Sequence, residues 1–172
     1  RHMPALVALT APSLVSYARM VPHRWSAAFN NLADRDREAG IRICPTSARN
    51  EAGRARQFNL EYRAADAAAN PHLLLAALTA AGLQGIEEGL PTPNATSEDL
   101  SLLSPEALAA RGLRRLPGSL EAALAELSAD DVAYTWFPDG FVDLYRAHKE
   151  GEIAALAGKS GAEIARAYTE VY

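Results

Sequence analysis

The sequence predicts an α+β fold, with antiparallel strands in the first third of the chain and helices after them. Three observations carry this: polar and apolar residues alternate between Trp25 and Arg63, capped apolar repeats with helical spacing begin at Asn70, and there is no βαβ pattern or glycine-rich phosphate loop.

With 172 residues, 49% of them hydrophobic and 22% charged, the chain has the composition of a soluble globular domain with its own core. The single cysteine, Cys44, rules out an internal disulfide or a CxxC metal site, and the cytoplasm is the expected compartment. The longest apolar stretch, Leu73 to Leu83, is shorter than the roughly 20 residues of a membrane span, and no signal-peptide pattern opens the chain, so no membrane partner is expected.

The net charge of −4 is unevenly spread. Residues 1–63 carry ten arginines, no lysine and five acids, whereas residues 64–172 carry seven basic and sixteen acidic residues. Arginine without lysine fits two readings. One is bidentate recognition of carboxylate or phosphate by rigid guanidinium forks; the other is a solvated basic surface. Nucleic-acid binding would rest only on this first third, and the acidic total works against it, so no nucleic-acid partner is expected.

Residues Arg1 to Thr10 are apolar, with no initiating residue and no cap, as though a larger domain were entered in mid-course. Ser13 to Met20 reads as a short helical turn that stops before Pro22. Trp25 to Asn30 and Gly40 to Cys44 read as strands. Phe58 to Arg63 is a third strand, with Phe58, Leu60 and Tyr62 on one face and Asn59, Glu61 and Arg63 on the other. That polar row is either half solvated or part of a site.

Asn70 and Pro71 supply a cap and a first helical residue, and the apolar residues that follow, on nearly all sides, predict a buried helix. Residues from Pro91 to Pro105 read as surface loop. Ser119 caps a helix with Leu120, Leu124 and Leu127 as its stripe; Asp139 starts another, from Phe141 to about Leu156; Ser160 caps the last, which runs to the C-terminus.

Several runs together resemble the glutamine synthetase family. They are Arg1-His2-x-Pro4-Ala5-Leu6 through Pro12-Ser13, Ser16-Tyr17-x-Arg19-x-Val21-Pro22, Asp36-Arg37-Glu38-Ala39-x-Ile41-Arg42-Ile43, Glu61-Tyr62-Arg63-x-x-Asp66, Asn70-Pro71-His72-Leu73, and Ala80-Ala81-Gly82-Leu83-x-Gly85-Ile86. The likeness covers nearly the whole chain and identifies it with the C-terminal part of that family's catalytic domain. Because the likeness includes Arg1 and His2, these are read as native residues and not as a tag.

The resemblance implies roles. Arg19 and Arg63 are similar to the arginines that hold the carboxylates of glutamate, and Arg37 and Arg42 to those that meet the phosphates of ATP and of the γ-glutamyl phosphate. Glu61 is similar to a carboxylate that binds Mg²⁺ or Mn²⁺. It also implies that Glu61 and Arg63 face the site while Phe58, Leu60 and Tyr62 face the core, and that the full-length protein is a double-ringed homo-oligomer. The upstream metal ligands and most of the nucleotide pocket would lie outside this chain, leaving the fragment alone inactive.

Three positions depart from the family pattern. Asn59 stands where the family has an arginine, so one phosphate contact is either missing or supplied by a neighbour such as Arg54 or Arg56. Ser101 falls near the tyrosine that is adenylylated in bacterial members, so that regulation is not expected. Trp25 replaces the flap glutamate that handles ammonium, and an indole cannot act as a base. An aromatic residue can instead pack against an alkyl or cationic amine.

The resemblance therefore implies an ATP-dependent ligase that joins glutamate to an amine. The alternatives are a glutamine synthetase that uses ammonia and a non-enzymatic member of the family. His72 and His148 read as structural or surface residues, His23 as a structural loop residue or one near the incoming amine, and Cys44 as a small core residue.

Overall fold

The computed structural model describes residues 1–170. Along the chain run α1 (Met3–Thr10), β1 (Leu32–Asp34), β2 (Ile41–Ile43), α2 (Glu51–Gln57), β3 (Leu60–Tyr62), α3 (Pro71–Glu87), α4 (Pro105–Ala109), α5 (Leu120–Ala129), α6 (Asp131–Tyr134), α7 (Phe141–Leu156) and α8 (Gly161–Thr169), with 3-10 turns at Leu14–Ala18 and Leu100–Leu102. The class is α+β. The elements separate into a helical unit, made of Arg1–Arg19, Ala65–Leu90 and the chain from Pro117, and a sheet unit, made of Met20–Ala64 and Pro91–Leu116.

In the helical unit the centre is α1, the opening apolar segment, every residue of which is buried. A helix covered on all sides needs no polar face, so it carries no periodic signal. Its one hydroxyl, on Thr10, donates to the Leu6 carbonyl at 2.9 Å, which removes an unpaired polar group from the core. Against α1 packs α5, with Leu120, Leu124 and Leu127 buried as the spacing predicts and Ser119 accepting the Ala122 N–H.

Asn70 caps α3 as expected, accepting the N–H groups of His72 and Leu73. The expected burial of α3 does not hold: Ala77 is buried, but Leu75 is 62% exposed and Ile86 78%. Its apolar residues circle the helix, and only one stripe of it can face α1. At the start of α7, Gly140 has φ 77°, a left-handed conformation that a side chain would oppose. Ser160 and Glu163 close a reciprocal capping box on α8, whose expected run to the C-terminus ends on residues 171–172, outside the described residues.

Buried Lys149 on α7 donates to Glu152 at 2.8 Å, and Glu152 also accepts the Tyr168 hydroxyl from α8. A buried ammonium without such a partner would be strongly destabilising.

The sheet unit has the order β1-β2-β3. β2 pairs antiparallel with β3, as predicted, setting Arg42 opposite Glu61; β1 pairs parallel with β2, which was not predicted. The expected strand at Trp25 to Asn30 is absent. His23 and Trp25 have φ 63° and 54°, which no strand permits, and Phe29 makes an isolated bridge to Arg115. Phe58 and Leu60 do not face a core: they are 58% and 54% exposed. The unit's core forms instead from Ala28, Phe29, Leu100 and Leu108, with Leu103 and Leu113 packed on it.

Two further features lie in the connections. Between β2 and β3 sits α2, capped by Asn50, whose Oδ1 accepts the Gly53 N–H at 2.7 Å. Gly53 is required there, since an added Cβ would lie 2.8 Å from the Ala48 Cβ. Buried Asn31 ties three segments together: its Oδ1 accepts the Gly40 N–H, its Nδ2 donates to Thr96 Oγ1, and its carbonyl accepts the Ile41 N–H. Among the described residues no helix is long and apolar enough to cross a membrane.

In the helical unit, His2 Nδ1 lies 2.7 Å from Asp130 Oδ2, and the same carboxylate accepts the Ala133 N–H at the start of α6. Burial pushes the Asp130 pKa up, but the hydrogen bonds from His2 and Ala133 outweigh it, and the carboxyl titrates below its ordinary value of 3.8. A depressed carboxylate stabilises the fold above its unfolded pKa, and that stability is lost as pH falls through the folded value. Asp130→Asn is therefore expected to lower stability at pH 7 by about 1 kcal/mol, with the gap to the parent closing below about pH 4. Urea unfolding across that pH range reads it.

Candidate active site

β2 and β3 present Arg42 and Glu61 directly opposite each other, and the two-residue period of β3 puts Arg63 on the same face as Glu61. Arg42 Nη1 donates to Glu61 Oε2 at 3.1 Å, and Arg63 Nη1 donates to Glu61 Oε1 at 2.8 Å. One carboxylate is thus gripped on both oxygens by two guanidinium groups. Burial alone would raise the Glu61 pKa; the hydrogen bonds and charges of Arg42 and Arg63 hold it below the ordinary carboxylate value.

Further donors on both arginines reach backbone. Arg42 Nε donates to the Arg35 carbonyl at 3.1 Å. Arg63 Nε donates to the Arg37 carbonyl at 2.8 Å and its Nη2 to the Trp25 carbonyl at 2.9 Å. Arg63 therefore spans three acceptors with its fork, which only a planar guanidinium can do. Arg37 in turn sets its guanidinium over the Trp25 ring, 5.0 Å from the centroid.

Five of the six residues read from the sequence, Trp25, Arg37, Arg42, Glu61 and Arg63, thus form one connected cluster in the sheet unit. Arg19 belongs to the helical unit, where its Nη2 donates to the Ala65 carbonyl.

Sequence reasoning missed Glu38, whose Oε2 accepts the His23 N–H at 2.9 Å and whose Oε1 accepts the Trp25 N–H at 3.4 Å. No residue pattern signals this, because it depends on the positive φ of His23 and Trp25. Beside it, His23, Asn31, Asp36, Glu38, Glu98 and Asp99 line a groove of about 300 Å³. His23 Nε2 there lies 3.3 Å from Ser101 Oγ and 3.6 Å from Asp99 Oδ2.

Other residues take plainer places. Asn59 is exposed and donates to the Gln57 carbonyl; Arg54 and Arg56 lie in the last turn of α2. Cys44 is half-buried, not a core residue: it follows β2, its N–H donates to the Asn59 carbonyl, and its thiol lies 4.0 Å from Glu61 Oε2.

Glu61 has the hard oxygens a divalent cation prefers. It is one ligand, however, and among the described residues no group of three or more His, Cys, Asp or Glu gathers to complete a coordination sphere. The described residues do not by themselves make a metal centre.

The family model for the catalytic domain of glutamine synthetase matches residues 1–168. This chain belongs to the glutamine synthetase family. The gamma-glutamylpolyamine synthetase GlnA3 of Streptomyces coelicolor is 39% identical over 171 residues, which cover 99% of this chain and 36% of that protein. The glutamine synthetase of Methanocaldococcus jannaschii is 35% identical over 131 residues, 76% of this chain and 27% of that protein. A crystal structure of a novel glutamine synthase homolog superimposes with a TM-score of 0.80 at 40% identity, covering 99% of this chain and 36% of that one. The chain thus spans about a third of the length of these glutamine synthetase relatives.

Arg63→Lys tests the cluster. One ammonium cannot reach the Trp25 carbonyl, the Arg37 carbonyl and Glu61 together, so residues 23–38 are expected to loosen and trypsin cleavage after Arg24 and Arg37 to accelerate by about tenfold. Timed digestion with mass spectrometry measures it.

Proposed function

We propose that the whole protein is an ATP-dependent ligase that joins glutamate to an organic amine, and that this chain supplies the arginine cluster of its active site. The observation carrying this reading is the grip of Arg42 and Arg63 on a carboxylate: two forks at hydrogen-bond distance from both oxygens of Glu61 are built to hold planar anions.

In this reading the side-chain carboxylate of glutamate attacks the γ-phosphorus of ATP; the new O–P bond forms as the bond to ADP breaks. The amine nitrogen then attacks the acyl carbon, a C–N bond forms, and phosphate leaves with the oxygen it gained. The amine loses its extra proton to a base or to water. An acyl phosphate makes this feasible because phosphate is a far better leaving group than hydroxide.

Arg37 and Arg42 would stabilise charge on the transferring phosphoryl group, and Arg63 would orient a carboxylate of glutamate; Arg19, in the helical unit, is proposed by itself as a further carboxylate-holding residue. The divalent cation that the family implies, Mg²⁺ or Mn²⁺, would draw phosphoryl charge as a Lewis acid and find in Glu61 a single hard ligand.

Trp25 supports an organic amine over ammonia. Its indole is 68% exposed and offers an apolar, π-rich surface to an alkylammonium; the groove that begins at His23, two residues before it, carries the carboxylates of Asp36, Glu98 and Asp99, which favour a cation. The name of the Streptomyces coelicolor relative, a gamma-glutamylpolyamine synthetase, points the same way.

With the whole protein, ADP release is expected to require glutamate together with a di- or polyamine, and to be slower with ammonia. A coupled ADP assay across an amine panel measures this, and no turnover with any amine or ammonia would remove the reading. Trp25→Glu, which restores a carboxylate at that position, is expected to shift the kcat/KM ratio toward ammonia by about tenfold or more.

A further inference from the structure

His23 and Trp25 are bulky residues in left-handed backbone conformations, at φ 63° and 54°. Such positions are strained, and they persist only where the surroundings over-determine them. The surroundings here are specific. Both N–H groups of this turn point to the two oxygens of Glu38, the Trp25 carbonyl accepts from Arg63, and Arg37 lies over the indole. Glu38 is itself set in place, since its own N–H donates to Asp36 Oδ1 at 2.8 Å and the next residue, Ala39, is fully buried.

We propose that Glu38 is a positioning residue for amine selection: its carboxylate clamps the His23–Trp25 turn in its left-handed form, so that the Trp25 indole is held at the rim of the arginine cluster. This rests on the ligase reading above and adds to it a residue outside the assigned set. The clamp acts from opposite ends of one residue, with a carboxylate accepting the Trp25 N–H and a guanidinium donating to its carbonyl. Neither contact alone fixes the peptide planes on both sides of Trp25; together they do. The arrangement replaces flexibility with a preset surface, which lowers the ordering cost when an amine packs on the indole.

The test is a double-mutant cycle in the whole protein. Glu38→Ala is expected to raise KM for the amine about tenfold, with KM for glutamate and ATP and kcat changing less than about threefold. Trp25→Ala should behave alike, and the double variant should be no worse than either single one, because Glu38 acts through Trp25. Glu38→Gln, which keeps an acceptor oxygen at the same reach, should recover part of the loss. Effects of Glu38→Ala and Trp25→Ala that multiply, or an equal change for all three substrates, would overturn the proposal.

A second readout needs no turnover. Hydrogen exchange at the His23 and Trp25 amides should quicken about tenfold in Glu38→Ala while the Ile41 amide, held by Asn31, keeps its rate. Unchanged exchange at His23 and Trp25 also overturns the clamp. A wild-type protein that ligates no amine, with exchange quickening as expected, would instead sink the ligase reading and leave the clamp standing.

Discussion

A single carboxylate, Glu61, held between two guanidinium groups is the constraint from which the sheet unit takes its organisation. Its strands are only three residues long, and ladder hydrogen bonds of that number hold a sheet weakly. The side chains of Arg42 and Arg63 extend the connection beyond the ladder, tying β2 and β3 to the carbonyls of Trp25, Arg35 and Arg37. The positive charge of each guanidinium makes these contacts stronger than a neutral hydrogen bond, and the two pairs with Glu61 carry charge on both partners. Removing the carboxylate would leave two largely buried cations facing each other.

The same contacts account for the strained turn at His23 and Trp25. A left-handed tryptophan is costly by itself, and its presence in the fold means that Glu38, Arg37 and Arg63 supply compensating interactions. Structure and chemistry therefore share residues here: the groups proposed to meet substrate are also those that hold their own loop. A ligand carboxylate arriving at Arg63 competes with internal acceptors already in place, so binding there is an exchange of partners.

The helical unit works by different physics. α1 has no polar face, and its stability comes from enclosure by neighbours, α5 above all. The polar and ionisable side chains of this unit find partners where burial demands it, as Lys149 with Glu152 and His2 with Asp130. Exposed leucine and isoleucine side chains on α3 are the exception to the usual burial of such an apolar helix.

Local signals were legible in the sequence by itself: the caps at Asn70, Ser119 and Ser160, the stripe of α5, the strands around Ile41 and Leu60, and the arginine-rich runs that carry the family resemblance. These depend on neighbours within four residues, or on short motifs, and a one-dimensional reading reaches that far. Tertiary structure alone decided the rest. The parallel pairing of β1, the exposure of Phe58 and Leu60, the full burial of α1 and the left-handed turn at Trp25 each depend on which distant segment arrives to cover or bond a residue. Glu38 illustrates the reason: its role exists only because a backbone twist thirteen to fifteen residues upstream turns two N–H groups toward it, and no residue type announces that.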